Sequence, residues 1–232
     1  MNSHSSGHLR LAVLACAVVM VLSPGARAGL IASCSLAPGG ACVSPDDAGD
    51  SPGTLLATVV DPFSFTSGSG ITHGAIKTEV FQESGGTLDF YYIIFNAPDS
   101  VSQVMGEMDM NFSGWATSVA FRSDGSSVPG FVNGNIAPSS ASRDATGSTV
   151  GFIFSGIPAN QRSRVVVIST DAFSYAAGSM TVDGSSVLPT FQPAAPEPGC
   201  FVLIGGGLLA LLGCRAGRDR SIHGMGIRYK FR

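Results

Sequence analysis

A nucleophilic serine or cysteine needs a base within reach, and between Gly29 and Pro198 the chain offers one histidine, His73. Its setting, Ser69-Gly70-Ile71-Thr72-His73-Gly74, reads as a turn preceding a strand and the residue as an exposed loop histidine, although abundant serines and aspartates leave a Ser-His-Asp set open on paper. Carboxylates for glycoside hydrolysis are too many to choose from. Glu79, Glu83, Asp89 and Glu107 are candidates, with Glu79 and Glu83 read as decorating a solvent face and the following turn. Asp46-Asp47-x-x-Asp50 offers oxygen ligands of the kind calcium takes, but lacks the twelve-residue loop and terminal glutamate of an EF-hand, so it reads as a solvated acidic loop. Trp115, Phe90, Tyr91 and Tyr92 carry the ring faces on which sugars stack, yet they lie among Val and Ile as core residues do. Asn111-Phe112-Ser113 matches a glycosylation sequon.

Cysteine chemistry points to the compartment. Cys16, Cys200 and Cys214 lie in apolar terminal segments, which leaves Cys34 and Cys42 in the central region. Separated by Leu36-Ala37-Pro38-Gly39-Gly40 and one flanking residue on each side, the pair can close a small turn as a disulfide, contributing roughly 2–3 kcal/mol on the chain-entropy argument. One histidine and one cysteine pair do not make an ordinary zinc site, and no metal or other cofactor is expected.

Strands must position whatever chemistry there is. Thr87 to Asn96 (TLDFYYIIFN), Thr149 to Ser155 (TVGFIFS) and Arg164 to Thr170 (RVVVIST) concentrate aromatic and β-branched residues and should be central strands. Leu55 to Asp61, Ala75 to Gln82, Met108 to Ser113, Trp115 to Arg122, Ser179 to Asp183 and Val187 to Phe191 flank them, separated by Gly, Ser, Asn, Asp and Pro. No sustained helical spacing of apolar residues interrupts this pattern. The expected fold is all-β, an antiparallel two-sheet sandwich over residues 29–191. Gln192 to Pro198 reads as a stiff, extended linker.

Gly29 to Pro198 is 170 residues, enough for one domain with a core. It holds five cations (Lys77, Arg122, Arg143, Arg162, Arg164) against fifteen carboxylates, a net charge of −10 that the whole-chain value of −3 conceals. Nucleic acid is therefore not an expected partner, because neutralising phosphates requires a cationic surface.

The two ends supply the itinerary. Arg10 precedes the apolar run Leu11 to Leu22, Ser23-Pro24-Gly25 breaks it, and Ala26-Arg27-Ala28 places small side chains at the two positions a signal peptidase reads. Residues 1–28 read as a signal peptide cut after Ala28. Twelve apolar residues at about 1.5 Å each fall short of a bilayer core of roughly 30 Å, which argues against an uncleaved anchor. Ile31-Ala32-Ser33-Cys34 has the look of a lipobox, but Arg27 separates it from the apolar core.

At the other end Pro196-Glu197-Pro198 is followed by sixteen uncharged residues, Gly199 to Cys214, and then by Arg215, Arg218 and Arg220. The apolar segment (199–214) reads as a transmembrane helix of about 24 Å, tolerable with local thinning and snorkelling arginines. The basic tail (215–232) should stay cytoplasmic. Two prolines force an extended backbone just before the helix, the form in which a protease takes its substrate; they serve equally to end the domain ahead of a permanent anchor.

This succession of motif, apolar segment and basic stop resembles the PEP-CTERM sorting signal. The resemblance implies that an exosortase, a membrane-embedded enzyme of cysteine-protease type, cuts near Pro196, Glu197 and Pro198 after signal peptidase has acted. It implies a transient inner-membrane anchor in a Gram-negative-type bacterium, then delivery to the cell surface or extracellular matrix, in association with exopolysaccharide. Ser221 to Arg232 continues beyond the point at which such signals usually stop. Gly86 to Tyr92 and Ile168 to Tyr175, leading to Gly178, also resemble segments that recur in PEP-CTERM proteins; these carry no known activity. The expectation is a non-enzymatic surface or matrix protein, with a membrane-anchored carbohydrate-binding module and an extracellular hydrolase as the alternatives.

Overall fold

Residues 34–43, 46, 51–106 and 110–194 are described by a computed structural model of the chain. The fold is all-β. Among the described residues twelve strands follow one another: β1 (Cys34–Ser35), β2 (Ala41–Cys42), β3 (Thr54–Ser67), β4 (Gly70–Gln82), β5 (Leu88–Asn96), β6 (Met110–Asn111), β7 (Thr117–Arg122), β8 (Pro138–Arg143), β9 (Thr149–Phe154), β10 (Val165–Thr170), β11 (Tyr175–Val182) and β12 (Ser186–Pro193). The only helical element among the described residues is a 3-10 turn at Gly125–Ser127.

Six strands form one sheet in the order β1-β7-β10-β5-β4-β3, four form a second in the order β2-β8-β9-β6, and β11 and β12 make a separate hairpin. Every strand pair is antiparallel. The three aromatic and β-branched runs are interior strands, as their composition requires: β5 and β10 at the middle of the six-stranded sheet, β9 between β8 and β6.

One face of the six-stranded sheet (Ile76, Val80, Phe90, Tyr92, Ile94, Val119, Val166, Ile168) shares a single core with Ala141, Val150, Phe152 and Phe154 of the second sheet and Met180, Val182 and Leu188 of the hairpin. Phe90 meets the buried Phe112 edge-on at 5.3 Å, a geometry that adds about 0.5–1.5 kcal/mol to plain area burial. The opposite face is covered too. Val128 and Phe131, from the segment between β7 and β8, close over Phe81, Tyr91, Ile93, Val165 and Val167. Double coverage explains why β5 is an almost unbroken apolar run instead of an alternating one.

Packing also fixes local sequence. Gly74 pairs with Phe63 across β3 and β4, and the phenylalanine ring fills the space a side chain would occupy. A Cβ at Gly74 would stand 2.0 Å from the Phe95 carbonyl and 2.6 Å from the Phe63 ring. The edge strand β3 carries a register shift between Leu55 and Ala57, Pro62 without an N–H, and Asp61, features that blunt pairing with another chain.

Three expectations change. The β8 segment (PSSASR) lacks branched and aromatic residues and was not expected as a strand; it is recruited by β9, with which it pairs from Pro138 to Arg143. His73 is not in a loop: β4 begins at Gly70, so the histidine lies inside the strand, opposite Ser64. The last strand runs through Gln192 and Pro193, past the domain end expected at Phe191. No helix among the described residues is long and apolar enough to cross a membrane. The segments 1–28, 199–214 and 215–232 lie outside the described residues.

Candidate functional site

The residues singled out for catalysis do not converge. His73 Nε2 lies 3.0 Å from Asp99 Oδ1, with the imidazole about one third exposed and the aspartate largely so. Ser100, next to Asp99 in that loop, turns its hydroxyl to the main chain: it accepts from the His73 N–H at 3.0 Å and donates to the His73 carbonyl at 2.6 Å. A hydroxyl so engaged is a loop fastener, its hydrogen bonds going to the main chain and not to the imidazole that would activate it. The spacing Gly-x-Ser-x-Gly does occur at Gly49-Asp50-Ser51-Pro52-Gly53. It runs into strand β3 at Thr54, whereas a nucleophile elbow leads out of a strand into a helix.

The acidic candidates scatter as well. Glu79 is not on a solvent face: it is 2 % exposed, because Lys77 lies on the same outer side of β4 and binds it at 2.7 Å. Glu83 accepts from the Gly53 N–H at 3.2 Å and Asp46 from the Ser123 N–H at 3.0 Å, while Asp89 is buried in β5. Asp47, Asp50 and Glu107 lie outside the described residues. Among those described, no three metal-ligating side chains come together. Phe90, Tyr91 and Tyr92 are core residues, as their Val- and Ile-rich setting suggested, and Trp115 is half-buried, so no sugar-stacking platform forms from the four. Burial pushes the Tyr92 phenol well above its ordinary pKa, partly offset by Thr190.

Cys34 and Cys42 are joined as a disulfide, with Cα atoms 6.6 Å apart. The bridge links β1 of the six-stranded sheet to β2 of the four-stranded one. Between the two sheets stands Arg143, 5 % exposed, whose guanidinium donates to the carbonyls of Gly147 (2.9 Å), Leu36 (3.0 Å), Phe112 (2.8 Å) and Trp115 (2.9 Å). Burial lowers its pKa, and the fields of Asp144 and Asp171 act in the opposite direction. It is a rivet for three loops. The sorting motif Pro196, Glu197 and Pro198, the basic residues Arg215, Arg218 and Arg220, and the peptidase positions Ala26 and Ala28 lie outside the described residues.

The outer face of the six-stranded sheet holds what the sequence did not reveal. Between β3, β4 and β5, the loop at 130–132 and the chain entering β10 is a cleft of about 170 Å³. Val60, Ala75 and Ile93 are its floor. Phe131 and Val132 form one wall, with Lys77 lying over the Phe131 ring, 4.9 Å from its centroid, and bonded to the Gly130 carbonyl. Gly130, at φ +82°, turns the loop where any Cβ would strike Lys77 and Glu79. On the other side the Arg162 guanidinium lies 4.5 Å from the centroid of Phe95. The signal available in the sequence was Val128, Phe131 and Val132 inside a Gly/Pro/Asn-rich loop: apolar residues there mean that the loop packs down.

The site is thus an apolar floor flanked by two cations, each stacked on a ring. Compared with protein-family models, curated proteins and solved structures, the chain matches none.

Proposed function

We propose that this chain is an exported cell-surface or extracellular-matrix protein, a non-enzymatic β-sandwich carried to the surface by a PEP-CTERM sorting signal and associated there with exopolysaccharide. Signal peptidase and an exosortase are its processing partners, and the apolar segment 199–214 anchors it in the inner membrane before cleavage.

The observation that carries this reading is where the domain ends. Strand β12 stops at Pro193, and the Ala194 N–H still bonds the Ser174 carbonyl at 2.9 Å. Pro196 follows two residues after Ala194, so in sequence the β-domain gives way at once to the motif, the apolar segment and the arginines. The disulfide near the expected mature terminus and the surplus of carboxylates fit an oxidising, extracellular setting.

The test is surface accessibility in the native host, with an epitope placed in the exposed turn at Gly184 and the wild-type chain compared with P196A/E197A/P198A. Labelling of intact cells or matrix that is lost in the triple variant supports the reading. Equal labelling of both removes the motif from the sorting pathway.

A further inference from the structure

Of the domain's five cations, three are committed by hydrogen bonds or ion pairs: Arg143 serves main-chain carbonyls, Arg122 grips Asp124 with two bonds of 3.0 Å, and Lys77 neutralises Glu79. Arg164 is half-buried, lies 5.7 Å from the Phe121 centroid and has its Nη1 buried, so it presents no open fork. Arg162 differs: it is exposed, with no side-chain hydrogen bond or ion pair to any described residue. Phe95 nevertheless holds it in place. A guanidinium held over a ring with no hydrogen-bond partner of its own has its N–H groups free, and these form the fork that matches a carboxylate.

Four further observations define what would lie beside it. The floor of Val60, Ala75 and Ile93 offers no polar partner side chain, so the body of the ligand is apolar. Lys77 and Glu79 cancel, leaving one net positive charge at the cleft in a domain of net charge −10; a monoanion is favoured over a dianion or a polyanion. Phe95 and Phe131 each have a cation against a ring face, which leaves no bare pair of rings for a sugar. At about 170 Å³ the cleft is smaller than the roughly 300–1,000 Å³ that holds a drug-sized molecule.

We propose that this cleft binds a short-chain monocarboxylate, its carboxylate on the Arg162 fork and its hydrocarbon on Val60, Ala75 and Ile93. The inference is independent of the sorting signal. The full chain in phospholipid nanodiscs would be titrated with sodium butyrate, followed by saturation-transfer NMR on the ligand, with butyramide as the uncharged probe and R162Q as the variant. Arg162 is exposed, so R162Q keeps the fold, as far-UV circular dichroism would verify; R162K keeps the charge but loses the fork. The expected result is a dissociation constant raised at least about tenfold in R162Q and less in R162K, with butyramide binding wild type no better than butyrate binds R162Q. Equal saturation from wild type and R162Q, or equal binding of butyramide and butyrate, would overturn the proposal. Glucuronate is the second arm: tighter binding than butyrate would move the occupant to a uronate unit of a polysaccharide and refute the apolar body.

Discussion

Replacing Arg143 removes the donor shared by four carbonyls, those of Gly147, Leu36, Phe112 and Trp115. Bonds to a charged donor contribute about 1.5–3 kcal/mol each, but the substitution also releases the guanidinium from its desolvated position, which returns part of that sum. Loosened loops let water reach some of the orphaned carbonyls. The expected cost of Arg143→Met, which keeps the apolar stem, is about 3–5 kcal/mol, a large share of the roughly 5–15 kcal/mol that holds an ordinary domain together. Arg143→Lys should cost about 2 kcal/mol, because an ammonium keeps the charge but concentrates three donors at one point and does not span carbonyls from three loops. The assay is urea unfolding followed by fluorescence of Trp115, the chain's single tryptophan, whose carbonyl is one of the four acceptors. Far-UV circular dichroism should give the same midpoint. A Met variant within 1 kcal/mol of wild type at unchanged m-value, on the order of an ordinary surface substitution, would refute the rivet.

Lys77→Met should destabilise by about 2–3 kcal/mol, since Glu79 would stay buried without its cation, and the double variant with Glu79→Gln should recover part of that loss; a chemical-denaturation cycle measures the coupling. Gly74→Ala should cost about 3 kcal/mol, because backbone on one side and the Phe63 ring on the other must both give way, while Gly184→Ala, with open space around it, should cost less despite its φ of +63°; thermal unfolding ranks the two. Asp144 is held at a pKa of about 2, first by the Thr146 hydroxyl and then by the Thr149 N–H. A depressed carboxylate stabilises the fold above its ordinary pKa and loses that effect as pH falls toward the folded value. Asp144→Asn should therefore flatten the fall in stability between about pH 4 and pH 2, and an unchanged acid limb in pH-dependent unfolding would contradict the assignment.

How much was legible follows from which forces leave marks in sequence. TLDFYYIIFN announces an interior strand because β-branched and aromatic side chains suit a pleated, doubly covered surface, and its residues are indeed buried along nearly the whole of β5. PSSASR leaves no such mark: β8 exists because β9 and β2 pair with it from either side. The disulfide was readable from two cysteines with no rivals nearby. Arg143 was counted only as one of five charges, since four main-chain carbonyls converge on it from segments up to 107 residues away. Glu79 was misplaced for a related reason. Its burial depends on Lys77 two residues earlier on the same face and on a loop that returns more than fifty residues later to place Gly130 over the pair. The Arg162 cleft joins three strands and two loops, and no local spacing encodes that meeting.

The decisive measurement is intact-mass analysis of the protein exported by its native host, wild type beside P196A/E197A/P198A. The expected masses show a mature N-terminus at Gly29, loss of the segment beyond the motif in the wild type, and retention of that segment in the variant. A chain ending at Arg232 in both would contradict cleavage at the motif and leave a permanently membrane-anchored β-domain.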